Sequence, residues 1–171
     1  ITHQPAMPYS EVPGFFGEIA EIPGTASLAL RFLILTACRT GEALKARWEE
    51  IDGDVWTVPA ERMKARRPHR APLVEPSLRL LEQVPRIADN LFVFAGARYG
   101  RPLSSMALLT TMRARGYGVD GDRGDYVPHG FRSALRDWCG ECTSFPTNVA
   151  EAALAHVLPN RTEAAYARGD L

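Results

Sequence analysis

The feature that most constrains the fold is an apolar run, "LALRFLILTAC", from Leu28 to Cys38. A helix that is apolar on most of its faces has to be surrounded by other elements, because little of its surface can meet water. Thr25 or Ser27 can cap its start, and we expect it to run to about Ala37. The run is too short to span a bilayer and contains Arg31. The sequence therefore predicts a domain built around one buried helix.

Length and charge add broad limits. A chain of 171 residues suits one domain, and its 20 basic and 20 acidic residues give no global indication of a nucleic-acid or membrane partner. Such a partner would need a local binding surface. An odd number of cysteines argues against a disulfide framework and favours a reducing, cytoplasmic setting. The chain begins with Ile1 and shows no signal peptide, so we expect an excised piece of a longer protein.

Turn and periodicity signals predict a mainly α fold with a small antiparallel β-sheet, an α+β class. The segments "RWEEID" and "DVWTVP" flank "DGD", which is typical of a hairpin turn, and "HRAPLV" predicts a third strand. Further elements are a short helix after Tyr9, helices over 42–47, 77–84 and from Ser104 or Ser105 to about 115, a buried run at 91–94, and helices starting near Pro128, Thr147 and Arg161.

Basic residues are concentrated in the turn between the second and third predicted strands. One interpretation is that this projecting turn contacts phosphates of a nucleic acid. The simpler interpretation is that it is a solvated loop. Because the whole chain carries no net charge, the local clustering favours phosphate contact. The residues of this basic turn are Arg62, Lys64, Arg66, Arg67 and Arg70, with His69 among them.

A second candidate site lies at the start of a predicted helix, in "YVPHGFRSALRDWCGE". His129 and Arg132 are three residues apart and therefore neighbours on a helix surface. Pro128 places them at the helix N-terminus, where unpaired N–H groups and the helix dipole favour an anion. The pair is a plausible phosphate cradle, although surface pairs with this spacing are also common.

Three further residues have ordinary structural explanations when each is taken alone. Arg39, in "CRTGE", follows the buried helix and could form a structural ion pair with Glu42. His156, in "LAHV", lies on an apolar helix end and is typical of a buried core histidine. Tyr166, in "EAAYARG", could be a packing aromatic. Only their co-occurrence with the basic turn and the His-x-x-Arg pair points to one shared site.

The segment "CGEC" has the spacing of a redox pair or of half a zinc site. No second cysteine pair follows, and no thioredoxin-like strand precedes it. The sequence therefore favours two ordinary cysteines, Cys139 and Cys142, at a helix end.

The order Arg, Lys in a β-turn, His-x-x-Arg, His, Tyr resembles the catalytic domain of the tyrosine recombinases, or phage integrases, and within them the P4-phage type. The motifs that carry this resemblance are "LTACRTGEAL", "RMKARRPHRAPL", "HGFR", "LAHV" and "EAAYARGDL". The resemblance runs from about residue 9 to the end. It implies the recombinase catalytic-domain fold and an enzyme that breaks and rejoins DNA. Position 155 is Ala where many relatives have Gly.

The resemblance also implies roles for the groups that make and break bonds. Tyr166 would attack a DNA phosphodiester and become linked to the 3′ phosphate. Lys64 would protonate the departing 5′ oxygen. His129 would hydrogen-bond near the phosphate and help to take the tyrosine proton. A phenol is mostly protonated at neutral pH, so it needs such help.

The remaining motif residues would hold the phosphate. Arg39 and Arg132 would clamp its two non-bridging oxygens, His156 would add a hydrogen bond, and Glu42 would orient the first arginine. Fixed guanidinium donors stabilise the negative charge that grows in the transition state. We expect no cofactor and no metal, because the arginines would replace Mg²⁺ in this role.

For the whole protein, the resemblance implies a bacterial, cytoplasmic, nucleoid-associated recombinase acting on double-stranded DNA at attachment sites, for prophage or genomic-island integration and excision. Residues 1–171 would form a single catalytic domain, without the N-terminal DNA-binding domains and the C-terminal tail helix of relatives. The full-length protein would be a tetramer on DNA, and this piece alone a monomer. An inactive DNA-binding remnant and a recombinase that resolves chromosome dimers stay open as alternatives.

Overall fold

A computed structural model describes residues 5–118 and 121–156. Within this part of the chain the fold is mainly helical with one small antiparallel sheet, as the sequence predicts. The helices are α1 (Val12–Ala20), α2 (Thr25–Thr36), α3 (Thr40–Leu44), α4 (Glu75–Gln83), α5 (Ser105–Arg113), α6 (Gly130–Cys142) and α7 (Thr147–Ala153). The strands are β1 (Ile51–Asp52), β2 (Val55–Val58) and β3 (His69–Pro72), and single 3-10 turns cover Trp48–Glu50 and Ala60–Arg62.

Helix α2 is the centre of the core, in agreement with its apolar sequence. It packs against α1, α3, α4 and α5. Phe32 is fully buried on α2, and its ring lies 5.2 Å from that of Trp56 on β2 and 5.4 Å from that of Phe94. The expected cap is wrong, because α2 begins after Gly24 without a side-chain cap and the hydroxyl of Ser27 donates instead to the carbonyl of Ile19. The core therefore fixes α2, whose C-terminal end leads directly into the candidate site.

The sheet has the order β1-β2-β3, and both pairings are antiparallel. Gly53, at φ 56°, makes the tight turn between β1 and β2. His69 pairs with Val58, so the basic turn projects from the end of the β2–β3 ladder. The predicted hairpin and third strand are thus confirmed.

Three element predictions differ from the structure. The second helix is α3 and ends at Leu44, earlier than the expected 42–47. In the expected buried run at 91–94, Leu91 is 61% exposed, and only Val93 and Phe94 lie in the core. Helix α6 begins after His129 rather than at Pro128, while the helix expected from about Arg161 lies outside the described residues.

The two cysteines of "CGEC" lie in the last turn of α6, as predicted, and their surroundings differ from those of Cys38. Burial raises the pKa of the Cys38 thiol to about 12, whereas Cys142 is exposed. Because the thiolate is the nucleophile, iodoacetamide at mildly alkaline pH should modify Cys142 and spare Cys38 in the folded protein. Peptide mass spectrometry measures this, and urea should make Cys38 reactive. Equal reactivity of both thiols in the native protein would contradict the burial of Cys38.

Candidate functional site

The first arginine of the site is held by a carboxylate at the start of α3. Arg39 occupies the N-cap position, and Glu42 lies three residues further on with only 4% of its side chain exposed. The Arg39 backbone N–H donates to Glu42 Oε2 at 2.8 Å, and Arg39 Nη1 donates to Oε1 at 2.9 Å. One carboxylate therefore caps the helix and fixes the direction of the guanidinium, which is the geometry that an orienting acid needs.

The second arginine, Arg132, is buried in the first turn of α6. Its Nη1 donates to the carbonyl of Ala37 at 2.6 Å, and its Nη2 donates to the carbonyl of Leu154 at 2.5 Å and lies 3.0 Å from His156 Nε2. These contacts join α6 to the end of α2 and to the end of α7. A guanidinium has five N–H donors, so these contacts leave other donors for an anion.

The two arginines converge on the same short turn after α7. Arg39 Nη2 lies 3.5 Å from the carbonyl of Ala155, next to the residues that Arg132 contacts. Burial lowers the pKa of Arg132, and the nearby charge of Arg39 lowers it further. Two guanidinium groups close enough to affect each other, with Glu42 offsetting part of their charge, form a site that an anion would stabilise.

His129 stands at the N-cap of α6, beside both arginines. Partial burial lowers the pKa of His129 below its usual value, and the charges of Arg132 and Arg39 lower it further. Its ring is therefore neutral at pH 7 and able to accept a proton. The glycine that follows has a local reason, since a Cβ on Gly130 would lie 2.4 Å from the carbonyl oxygen of Pro5.

Lys64 lies on the basic turn and is exposed. It shares an open depression of about 550 Å³ with Arg39, Glu42 and Arg66. The turn therefore brings the lysine to the same side of the molecule as the first arginine.

The other basic residues of the turn differ in their surroundings. Arg62 is directed into the fold, where it pairs with Glu50 and its Nη1 donates to the carbonyl of Glu42 at 3.4 Å. Arg66 and Arg67 are exposed on the turn, and Arg70 is exposed on β3. Contact with phosphates thus fits Arg66 and Arg67 better than Arg62, which already has partners within the protein.

Sequence reasoning missed Glu151, which borders the site, and placed His69 on the basic turn without a role in the site. On α7, the Oε2 atom of Glu151 lies 2.6 Å from the Nδ1 atom of His156. His69 begins β3, and strand alternation places its side chain on the same face as the buried Ala71. Partial burial lowers the pKa of His69. The charges of Arg132 and Arg39 lower this pKa further, whereas the charge of Glu42 raises it. The alternation of inward and outward side chains in the strand "HRAP" could have indicated that His69 faces the core and not the solvent.

Tyr166 lies outside the described residues, so its placement relative to this site stays a prediction. In residues 5–118 and 121–156, no group of three or more His, Cys, Asp or Glu side chains could hold a metal ion. Over the same ranges, no helix is long and apolar enough to cross a membrane.

The turn that carries His156 depends on an unusual backbone conformation. Ala155 has φ 50°, in the left-handed region that costs a non-glycine residue about 1–2 kcal/mol. Ala155→Gly should remove this cost, partly offset by about 0.5–1 kcal/mol of extra unfolded-state entropy. We expect unchanged or slightly higher stability in urea denaturation. The control, Ala152→Gly inside α7, should lose about 1 kcal/mol. Equal losses for both variants would contradict the strain at Ala155.

Comparison of the sequence with known proteins gives a consistent result. Residues 10–170 match the phage integrase family. The prophage integrase IntZ of Escherichia coli (strain K12) is 36% identical over 160 residues, which cover 91% of this chain and 38% of that protein. The integrase of Enterobacteria phage P4 is 30% identical over 182 residues, which cover 96% of this chain and 41% of that protein. The chain thus spans about two fifths of the length of these relatives.

Solved structures share the fold. The catalytic core of lambda integrase superposes with a TM-score of 0.64 at 21% identity, covering 92% of this chain and 95% of that chain. The XerH site-specific recombinase bound to its difH substrate gives a TM-score of 0.69 at 16% identity, covering 97% of this chain and 53% of that chain. At these identities the likeness concerns the fold of the chain alone.

Proposed function

This chain belongs to the phage integrase family, and from that premise we propose that it is the catalytic domain of a site-specific DNA recombinase. Its substrate is double-stranded DNA, which it cuts and rejoins through a covalent 3′-phosphotyrosyl intermediate. Its role is the integration or excision of a prophage or genomic island. One observation carries the proposal: Arg39 and Arg132 converge on the turn that holds His156.

In the cleavage step, the phenolic oxygen of Tyr166 attacks phosphorus and the bond to the 5′ oxygen breaks. The phenol proton passes to His129, whose neutral ring can accept it. Lys64 gives a proton to the departing 5′ oxygen. The energy of the broken ester is kept in the phosphotyrosine bond, so a 5′-hydroxyl from another DNA end can reverse the step without ATP.

The charge that develops on phosphate is met by Arg39 and Arg132, each aimed at a non-bridging oxygen. His156, on the same turn, adds a hydrogen bond from Nε2 once that nitrogen takes up a proton, while its Nδ1–H stays on Glu151. Both guanidinium groups are already fixed, by Glu42 in one case and by backbone carbonyls in the other. Donors held in place before the reaction need little reorganisation in the transition state, which is why they are effective. These cations, rather than a metal, carry the charge stabilisation in this proposal.

The basic turn supports binding of the DNA backbone around that phosphate. Lys64, Arg66 and Arg67 are exposed on one loop, although the whole chain carries no net charge. Contacts of this kind position DNA without reading its sequence. Crystal structures of lambda integrase include a dimer bound to a COC′ core site and a tetramer bound to a Holliday junction. We propose a corresponding tetramer on DNA for the full-length protein, acting in the bacterial cytoplasm.

Covalent capture of DNA tests the proposal without knowledge of the attachment site. The protein is incubated, in a buffer containing EDTA, with nicked duplexes of random sequence that carry a radioactive phosphate within the random segment. Loss of a short 5′-hydroxyl fragment at the nick prevents rejoining, so labelled protein should accumulate on a denaturing gel. Mass spectrometry should place the nucleotide on the peptide that contains Tyr166. DNA binding without any labelled protein would overturn the proposed activity.

A further inference from the structure

A row of polar contacts extends from the site along the contact between α6 and α7. Arg136 Nε lies 3.1 Å from Glu151 Oε1, Glu151 Oε2 lies 2.6 Å from His156 Nδ1, and His156 Nε2 lies 3.0 Å from Arg132 Nη2. Glu151 is largely buried, at 18% exposure of its side chain. Packing does not explain a carboxylate in this position, because its two oxygens face two side chains that carry nitrogen, Arg136 and His156.

The contacts define one neutral tautomer of His156. An ionised carboxylate can only accept, so the proton lies on Nδ1. A guanidinium can only donate, so Nε2 accepts from Arg132. Both ring nitrogens are therefore assigned by their partners, and the ring cannot flip without losing both contacts. With no phosphate bound, this arrangement excludes the neutral tautomer with the proton on Nε2, which a solvated histidine side chain prefers.

The backbone supports the same arrangement. Ala155, in the left-handed conformation, lies two residues after the end of α7, and the backbone N–H of His156 donates to the carbonyl of Glu151 at 2.9 Å. This is the hydrogen-bond pattern of a Schellman motif, in which the residue after the left-handed one folds back over the last turn. The side chain of His156 is thereby brought against that of Glu151. In most such motifs this contact is apolar, whereas here it is a charged hydrogen bond.

We propose that Glu151 is a positioning residue, which fixes the tautomer and orientation of His156 and, through the imidazole, the guanidinium of Arg132. Arg136 offsets the negative charge of the carboxylate on the side away from the phosphate. The positioning of His156 is independent of the proposed function, whereas the effect of Glu151 on DNA cleavage rests on it. Glu151 does not touch the reacting atoms. It acts on them through His156 and Arg132, the two side chains that would contact the phosphate.

Histidine tautomers measured by NMR test the positioning without DNA. In protein labelled with ¹⁵N-histidine, at a pH above the titration midpoint found for His156 in the same experiment, wild type should show the proton on Nδ1. Glu151→Ala should shift the ring toward the Nε2 tautomer, whereas Glu151→Gln should keep the wild-type form because its amide oxygen still accepts. Glu82→Ala, on the exposed face of α4, is the matched control. A wild-type ring protonated on Nε2, or an unchanged ring in Glu151→Ala, would overturn the proposal.

Cleavage gives the second readout. Glu151→Ala should slow covalent capture of the nicked duplexes about 10–100-fold, the scale on which outer residues that orient histidine ligands affect activity in metal sites. Glu151→Gln should retain most of the rate, and DNA affinity should not change. Capture by Glu151→Ala at the wild-type rate would remove the positioning role. Absence of capture by wild type would instead refute the proposed function, while the tautomer measurement would still decide the placement of His156.

Discussion

Replacement of Tyr166 by phenylalanine is expected to abolish covalent capture of DNA while DNA binding is kept. The substitution removes one oxygen atom, which in the proposed reaction is the atom that bonds to phosphorus. Loss of a nucleophile in other enzymes lowers the rate by at least about 10⁴-fold, so labelled protein should fall below detection. The measurement is transfer of radioactive phosphate from nicked duplexes to protein, together with a gel-shift titration of the same DNA.

The matched control for this variant is Tyr99→Phe. Tyr99 is 80% exposed in a loop and has no role in the proposed mechanism, so its variant should capture DNA at the wild-type rate. Capture by the Tyr166 variant would mean that another side chain is the nucleophile. Because Tyr166 lies outside the described residues, this experiment also tests its predicted place in the site.

Local contacts are the part of the site that the sequence could predict. The Arg39–Glu42 pair spans three residues at a helix start, so the spacing alone indicates it, and the structure confirms the pair. The β1–β2 hairpin, whose second strand leads into the basic turn, follows from "DGD" and alternating apolar residues in the same way. In both cases the determining interaction lies within one turn of the chain, where residue type and spacing largely fix the geometry.

Contacts that depend on tertiary structure could not be predicted in this way. Arg132 binds the carbonyls of Ala37 and Leu154, which are distant in sequence and offer no side-chain signal, since every residue has a carbonyl. The Glu151–His156 contact requires a left-handed backbone conformation at position 155, which alanine rarely adopts. The family resemblance indicated that these segments meet, but only coordinates identify which donor faces which acceptor.

That difference explains why the strongest remaining prediction concerns Arg132. Arg132→Lys keeps a positive charge but replaces a planar group with five donors by a compact ammonium on a flexible stem. Lysine cannot span the carbonyls of Ala37 and Leu154, the ring of His156 and a phosphate oxygen at once. The rate of covalent capture should therefore fall about 10²–10³-fold, the effect of losing one fixed donor to a developing oxyanion.

The same substitution should lower the free energy of unfolding by about 1–3 kcal/mol, because it leaves a buried carbonyl without its donor. Urea denaturation measures this loss, and protection of Cys38 from iodoacetamide shows whether the variant is folded under the assay conditions. Arg79→Lys, on the exposed surface of α4, should change neither quantity. Destabilisation without a loss of rate in folded Arg132→Lys protein would limit Arg132 to joining α2, α6 and α7. A loss of rate that exceeds the unfolded fraction would instead place Arg132 in the reaction, at the phosphate or through the ring of His156, since an arginine that only joins helices affects activity through the amount of folded protein.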